Sequence, residues 1–265
     1  MDTFIIKLIL SPLLITVTTL TARRWGPVAG GLLVGLPLTS GPVSAFLAVE
    51  QGRDFAASAA QSTLMGLVAV VAFCVAYARI STRCSWPAAA TVSLVCYFAG
   101  VALFSVITLP FLLSIVLVVL LIYAGTRAIK PATGPVPLLS SPPWDLPFRI
   151  LVATAIIIAI TTLSDSIGPR LSGLLSTFPA FITVMAAFTQ ALHGPDAARQ
   201  FVRGVVTGSY SFAVFYLVIW LTIGSLNLFL VYLLATVMSA GINFSIYRFF
   251  VLPRKNTASS METDG

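Results

Sequence analysis

Long apolar runs, separated by short polar stretches, dominate the chain from Phe4 to Val251. A helix needs about 20 apolar residues to cross the hydrocarbon core of a bilayer. Nine segments meet that length approximately: 4–22, 27–49, 56–78, 86–107, 109–126, 147–163, 169–192, 198–222 and 227–251. The run from Trp86 to Gly125 is too long for one crossing, and Pro110 divides it. The pattern predicts an all-α integral membrane protein of about nine transmembrane helices.

The sequence repeats itself at an offset of 142 residues. Ten of the 29 positions from Gly26 to Asp54 are identical to those 142 residues later, whereas apolar composition alone would give about three. The matched residues of the first copy are Gly26, Pro27, Gly31, Leu32, Leu33, Pro37, Ala45, Phe46, Gly52 and Asp54. Each copy has four predicted helices, and one further helix lies between them. The second copy therefore enters the membrane from the opposite side, and the repeats are predicted to be inverted.

This repeat predicts the domain organisation. Residues 1–108 form the first four-helix repeat, and residues 109–146 form a linker helix followed by a Pro-rich cytoplasmic loop. Residues 147–252 form the second repeat, and the polar tail 253–265 is expected to be disordered.

Composition agrees with a lipid-facing surface. Hydrophobic residues make up 58% of the chain and charged residues 9%, whereas a soluble domain has about 25% charged residues. Twelve of the fifteen basic residues fall on one predicted side of the membrane, and Lys7, Arg53 and Arg170 fall on the other. The positive-inside rule then predicts an external N-terminus and a cytoplasmic C-terminus. The basic residues stand singly or in pairs at segment ends, so the net charge of +7 indicates no nucleic-acid partner.

Two prolines at equivalent positions mark a candidate binding site. Pro37 and Pro179 each lie near the middle of a predicted helix, where a proline leaves the carbonyl four residues earlier, here that of Leu33 or Leu175, without its donor. Interrupted helices in inverted repeats form the substrate sites of many secondary transporters. The substrate-binding hypothesis comprises Pro37, Thr39, Ser40, Ser176, Thr177, Pro179, Thr183 and Tyr210. Alternatively, the prolines only kink the helices for packing, and nearby hydroxyl groups repair the gaps.

Glu50 is the only acidic residue within reach of a hydrophobic segment. Intramembrane carboxylates often carry protons or sodium, so Glu50 is the candidate for ion coupling. Its place at the end of the segment 27–49 equally fits a water-exposed residue at the membrane interface. The polar groups Gln61, Gln190 and Asn243 either bind a ligand or hydrogen-bond to neighbouring helices.

The repeat unit resembles the GlpM family of small bacterial inner-membrane proteins. The resemblance rests on a basic residue in the first helix (Lys7 and Arg149) and on Gly-Leu-Leu followed by proline, at 31–33 with Pro37 and at 173–175 with Pro179. Glu50 and Gly52 match the end of the family's second helix. This chain resembles two family copies fused through an added helix. The resemblance implies a bacterial inner membrane and an association with exopolysaccharide production, and it supplies no catalytic residues.

The predicted function is a secondary transporter or exporter of a small neutral or amphipathic solute, in which the two halves rock around a midplane site. Motifs of enzymes are absent from the sequence, so we expect no catalytic activity, no metal and no cofactor. The expected partners are the lipid bilayer and a small-molecule substrate, and a homodimer is compatible with the sequence. Two alternatives remain open: a non-transporting accessory protein of a cell-envelope or exopolysaccharide system, and a passive channel.

Overall fold

The computed structural model describes residues 3–38, 40–107, 109–131, 142–164 and 177–251. Within these ranges every regular element is helical, so the prediction of an all-α fold is confirmed. In chain order the helices are α1 Thr3–Trp25, α2 Pro27–Val34, α3 Ser40–Gln51, α4 Arg53–Ile80, α5 Trp86–Val106, α6 Phe111–Ala128, α7 Asp145–Ser164, α8 Ala180–Thr222 and α9 Leu228–Ile246, which continues into a π-helical turn at Tyr247–Val251.

Five of the described helices are long and apolar enough to cross a membrane: α4, α5, α6, α8 and α9 with its following turn. They fit a multi-pass membrane protein. The helices α2 and α3 have 8 and 12 residues and are each too short to span alone. The number of nine crossings stays a prediction.

The predicted segment 27–49 consists of two short helices that meet at a break around Pro37. The expected loss of a donor at Leu33 is wrong, because the Leu33 carbonyl accepts from the backbone N–H of Leu36 at 3.1 Å. The Leu32 carbonyl instead accepts a hydrogen bond from the side-chain amide of Asn243 on α9, at 3.0 Å. Asn243 therefore caps the end of α2. Of its two predicted roles, this is the hydrogen bond to a neighbouring helix.

Two glycines at the predicted offset of 142 have nearly the same backbone conformation. Gly52 (φ 88°, ψ 174°) separates α3 from α4, and Gly194 (φ 83°, ψ 173°) breaks α8. A residue with a side chain is strained at this φ, whereas glycine adopts it freely. We call residues 40–51 (α3) the first arm and residues 180–193 of α8 the second arm. Each arm lies between a proline-containing segment and one of these glycines.

The centre of the molecule is a close crossing between α2 and residues 195–222 of α8. Gly31 and Gly35 on one side face Gly204 and Gly208 on the other. A Cβ built on Gly35 would lie 2.5 Å from the Cα of Gly208, and one built on Gly208 would lie 2.7 Å from the carbonyl oxygen of Leu32. The two backbones are in direct contact, as small residues spaced by four allow in membrane helices. The spacing of Gly204 and Gly208 by four residues places both on the face that makes this contact.

The helices α1 and α7 run antiparallel. The end of α1 contacts the beginning of α7 through Arg23 and Asp145, and nearer the middle of each helix Ile15 and Ala153 belong to one buried apolar cluster with Val184. These two helices occupy equivalent positions in the predicted repeats. Inverted copies predict opposite directions for this pair, and the inverted arrangement as a whole stays a prediction.

Candidate functional site

A cavity of about 110 Å³ lies where the two proline-containing segments meet. Such a volume has room for a few water molecules or one small solute. Its lining comes from α1, the residues around Pro37 and Pro179, α4 and α8: Leu14, Thr18, Leu33, Val34, Gly35, Leu36, Leu38, Ser40, Leu67, Val70, Thr177, Phe178, Pro179, Phe181, Ile182, Val205, Ser209 and Phe212. The structure thus brings together the two segments that the sequence singled out.

The cavity wall is mostly apolar, and its side-chain polar groups are hydroxyls. They belong to Thr18, Ser40, Thr177 and Ser209, and none of the described lining residues is charged. Two of the hydroxyls are committed to backbone carbonyls one turn earlier, that of Thr18 to Leu14 at 2.6 Å and that of Ser209 to Val205 at 2.9 Å. Such a wall suits a solute with a large apolar part and few polar groups.

Aromatic side chains hold the second proline segment in place. The ring of Phe178 packs edge-on against Tyr97 of α5, with centroids 5.6 Å apart. The hydroxyl of Tyr97 lies 3.4 Å from that of Thr177. The segment before the second arm is therefore fixed by α5, a helix of the first predicted repeat.

Three predicted binding residues, Ser40, Thr177 and Pro179, line the cavity. Pro37 is buried between the lining residues Leu36 and Leu38. These four positions converge on one place, although the sequence separates them by about 140 residues. Thr39 and Ser176 lie outside the described residues.

Two other predicted binding residues point elsewhere. The Thr183 hydroxyl donates to the Pro179 carbonyl one turn earlier at 2.7 Å, so it is committed within the first turn of the second arm. The hydroxyl of Tyr210 is beside Thr126 of α6, on a different face of α8 from the lining residue Ser209. Neither is among the cavity-lining side chains.

The coupling candidate Glu50 is exposed at the end of the first arm. Ser40, at the other end of this arm, lines the cavity. Ten residues of helix separate the two, which is about 15 Å at the helical rise of 1.5 Å per residue. The described residues therefore do not join Glu50 to the cavity, and ion coupling by Glu50 stays a prediction.

Sequence reasoning missed a buried charged cluster, which we call the Arg149 cluster: Arg23, Asp145 and Arg149. The Asp145 carboxylate is fully buried and accepts from Nε of Arg149 at 2.7 Å and from Nη2 of Arg23 at 2.9 Å. Asp145 and Arg149 are four residues apart at the start of α7. This spacing favours an ion pair within a helix, so the sequence could have indicated their contact. Arg23 is 122 residues from Asp145, and no local pattern indicated that contact.

Guanidinium contacts connect the cluster to the second arm. Nη1 of Arg149 lies 3.4 Å from both the carbonyl oxygen and the Sδ of Met185, and its guanidinium carbon lies 5.1 Å from the centre of the Phe188 ring. The Thr19 hydroxyl of α1 also meets the Met185 sulfur at 3.4 Å. Met185 is thus held between α1 and α7.

Further along the second arm, Gln190 contacts the end of α4. Its amide donates to the carbonyls of Ser81 and Cys84 at 3.2 and 2.9 Å, and its side-chain oxygen accepts from the Tyr77 hydroxyl at 2.9 Å. We call this end of the helical bundle, which holds the Arg149 cluster and Cys84, the basic end. At the opposite end Arg53 donates to the carbonyl of Ile223 at 3.2 Å.

Fold and site together define an all-α protein whose apolar helices fit a multi-pass membrane protein and whose two proline-containing segments enclose a mostly apolar cavity. Neither a family model, nor a curated protein, nor a solved structure matches the chain. The resemblance to the GlpM family therefore stays a prediction, and the function must be argued from the chain's own geometry.

Proposed function

We propose that the protein is a secondary transporter or exporter that binds a small neutral or amphipathic solute in the cavity between the two proline-containing segments. The single observation that carries this proposal is the convergence of the break at Pro37 and the helix start at Pro179 on one cavity. A proline that only kinked a helix for packing would have no reason to meet its equivalent 142 residues away. Transporters built from inverted repeats place discontinuous helices around their substrate in this way.

The antiparallel course of α1 and α7 and the matching glycines Gly52 and Gly194 support the inverted arrangement of two four-helix repeats around one linker helix. Under this arrangement the two arms are equivalent elements that approach the cavity from opposite ends of the bundle. Each arm could then close one route to the solute.

The glycine crossing changes which parts we propose to move. Gly31 and Gly35 belong to the first repeat, Gly204 and Gly208 to the second, and their backbones touch. Rocking the halves as separate bodies would open this tight contact. We therefore assign the motion to the two arms, since each has one joint beside Pro37 or Pro179 and another at Gly52 or Gly194, where even an added Cβ would meet no atom within 4 Å.

The wall chemistry supports a solute without net charge. Burial of a charged group is costly unless an opposite charge meets it, and the described lining residues offer only hydroxyls and backbone. An amphipathic solute would place its apolar part against Leu67, Val70 and Phe212 and its polar part near Ser40 and Thr177.

The test is flux in liposomes. Purified protein would be reconstituted and offered a panel of neutral and amphipathic solutes in both directions. The Ser209→Leu variant adds bulk inside the cavity, and we expect flux to fall by about tenfold or more because the solute loses its space. A wild-type protein that moves no solute of the panel would contradict the proposal.

A matched control is available in Ser245→Leu. Ser245 lies on the exposed face of α9, and its hydroxyl bonds the Gly241 carbonyl at 2.9 Å, just as that of Ser209 bonds Val205 at 2.9 Å. The same change therefore removes the same kind of bond but adds bulk outside the cavity. Flux should stay within about twofold of wild type. Equal losses of flux in the two variants would show that transport does not depend on the space in this cavity, and a wild-type protein without flux would favour the accessory-protein alternative.

Orientation in a bacterial inner membrane belongs to the same proposal. The charge bias predicts an external N-terminus and a cytoplasmic C-terminus, hence a basic end in the cytoplasm. Reporter tags at both termini of the protein in bacterial cells would test this. Tags that report the same compartment would rule out the odd number of crossings and the inverted repeats with it.

A further inference from the structure

We propose that Arg149 is a latch that holds the second arm closed against the basic end, with Asp145 as the residue that positions it and Arg23 as its connection to α1. This inference rests on the proposed function, because a latch matters only if the arm moves. It assigns to a buried charged cluster a role that neither the cavity nor the predicted coupling residue Glu50 supplies.

The contacts of Arg149 are those of a clamp on the second arm. One guanidinium edge faces Asp145 on its own helix, and Nη1 reaches the backbone and sulfur of Met185. The guanidinium also lies over the ring of Phe188 at a cation–π distance. Met185 and Phe188 are both in the arm, so one buried side chain fastens it at two positions a turn apart.

Asp145 fixes the direction of this clamp. Its two carboxylate oxygens are shared between Nε of Arg149 and Nη2 of Arg23, and its side chain is inaccessible to solvent. The charged hydrogen bond orients the guanidinium before it meets the arm. Arg23 is about one-third exposed, so its bond to Asp145 is the one that water can most readily replace.

The latch stands between the cavity and the basic end. Phe181 of the second arm lines the cavity, and Met185 follows it by one turn. On α1 the order is the same: Thr18 lines the cavity, Thr19 contacts Met185, and Arg23 follows one turn later. A solute leaving the cavity between α1 and the arm toward the basic end would have to pass these contacts.

Charge balance makes the latch testable without burying a lone charge. Removing Arg149 leaves Asp145 paired with Arg23. Removing Asp145 would leave two arginines facing one another, and an uncompensated buried charge destabilises a fold strongly. Arg149→Gln is therefore the informative variant, and Arg149→Lys, which keeps the charge but loses the planar fork of donors, should give an intermediate result.

The experiment measures access to the cavity, not transport. In full-length protein in membrane vesicles, Cys74, Cys84 and Cys96 would be replaced by alanine and Ser209→Cys introduced as the reporter in the cavity wall. A membrane-impermeant thiol reagent would be added from each side separately. A second protein that keeps only Cys84, which is exposed at the basic end, would identify the side on which that end lies.

We expect Arg149→Gln to raise the labelling rate of the reporter from the basic-end side about tenfold, with no rise from the other side. Tenfold corresponds to about 1.4 kcal/mol in the opening equilibrium. The matched control is Arg199→Gln, which breaks the ion pair of 2.7 Å between Arg199 and Asp196 within α8 and should leave both rates unchanged.

Three outcomes would overturn the latch: an unchanged rate in Arg149→Gln, a rise of equal size from both sides, which indicates general loosening, or an equal rise in Arg199→Gln. Failure of the latch and failure of the proposed function are distinguishable. Faster one-sided labelling in a protein that moves no solute would support the latch and count against transport. Solute flux with unchanged labelling would overturn the latch alone.

Discussion

The two arms have similar backbones and different attachments. Both begin near a proline-containing segment and end at a glycine with φ near 85°. Half of the 14 residues of the second arm are buried, and the arm is fastened through Met185, Phe188 and Gln190. The first arm ends in exposed residues, with Val49 72% exposed, and a side-chain bond joins its Ser44 to Tyr232 of α9 at 2.9 Å.

Sequence repetition therefore determines the joints of the arms but not their attachments. The glycines recur in both copies, whereas Gln190 aligns with Ala48 and Leu192 with Glu50. In this conformation the second arm is therefore held more firmly than the first. Under the proposed function, the structure is the state in which the basic end is closed.

The largest loss of stability is expected at the crossing of α2 and α8, against which both arms would move. In Gly208→Ala the new Cβ would lie 2.7 Å from the Leu32 carbonyl oxygen and 3.0 Å from the Gly35 Cα. Because the atoms around the new Cβ are backbone atoms, no flexible side chain can move to make room for it. We therefore expect destabilisation by about 3 kcal/mol. Thermal or denaturant unfolding in detergent would measure it.

Gly241→Ala is the control for this prediction. Gly241 is also inside a helix, α9, but nothing lies within 4 Å of its Cβ position. Alanine favours helix over glycine by about 1 kcal/mol, so this variant should be neutral or slightly more stable. If Gly208→Ala were equally harmless, the arms would have no rigid crossing to move against.

The second largest effect concerns the attachment that only the second arm has. Gln190→Ala removes three hydrogen bonds, to Tyr77, Ser81 and Cys84, and should cost about 2 kcal/mol of unfolding free energy. Tyr77→Phe removes one of the three and should cost about half as much. Hydrogen exchange in the second arm should rise in Gln190→Ala, and unchanged protection there would show that Gln190 does not hold the arm.

The third effect tests whether the arms are equivalent at their joints. Gly52→Ala and Gly194→Ala both place a side chain at positive φ, and neither Cβ meets a neighbour within 4 Å. The cost is therefore torsional alone, and we expect about 1–2 kcal/mol for each variant. Unfolding measured on the two proteins side by side should agree within about 0.5 kcal/mol. A clear inequality would mean that the two joints are not copies of one another.

The features that sequence could predict are those fixed by neighbours along the chain. Apolar runs indicated most helix positions, and the break at Pro37 follows from a missing N–H and a ring that clashes with the preceding turn. The glycines at the arm joints were visible as repeat identities, although their positive φ was not. For the same reason the close packing of Gly204 and Gly208 could be expected from their spacing.

Features that depend on distant partners could not be predicted. Tyr210 follows Ser209 directly, but successive residues of a helix point about 100° apart, and nothing local told which of them faces the cavity. Near Pro37 the carbonyl that lacks its helical donor is that of Leu32, because the backbone N–H of Leu36 donates to Leu33 instead. The side-chain amide of Asn243 on α9 then donates to the Leu32 carbonyl. The Arg149 cluster could not be predicted because Arg23 and Asp145 are 122 residues apart in the sequence.

The smallest effect concerns the one described side-chain bond that fastens the first arm to α9. Ser44→Ala removes the bond to the Tyr232 hydroxyl and should cost about 1 kcal/mol, half the loss expected for Gln190→Ala in the second arm. Tyr232→Phe removes the same bond from the other side. If the bond is the whole effect, the double variant should be no less stable than either single one, so the coupling energy is also about 1 kcal/mol. Additive losses would mean that each residue stabilises the arm independently, and a loss in Ser44→Ala as large as that in Gln190→Ala would mean that the arms are fastened equally. In that case the asymmetry between them, and the closed basic end inferred from it, would have to be given up.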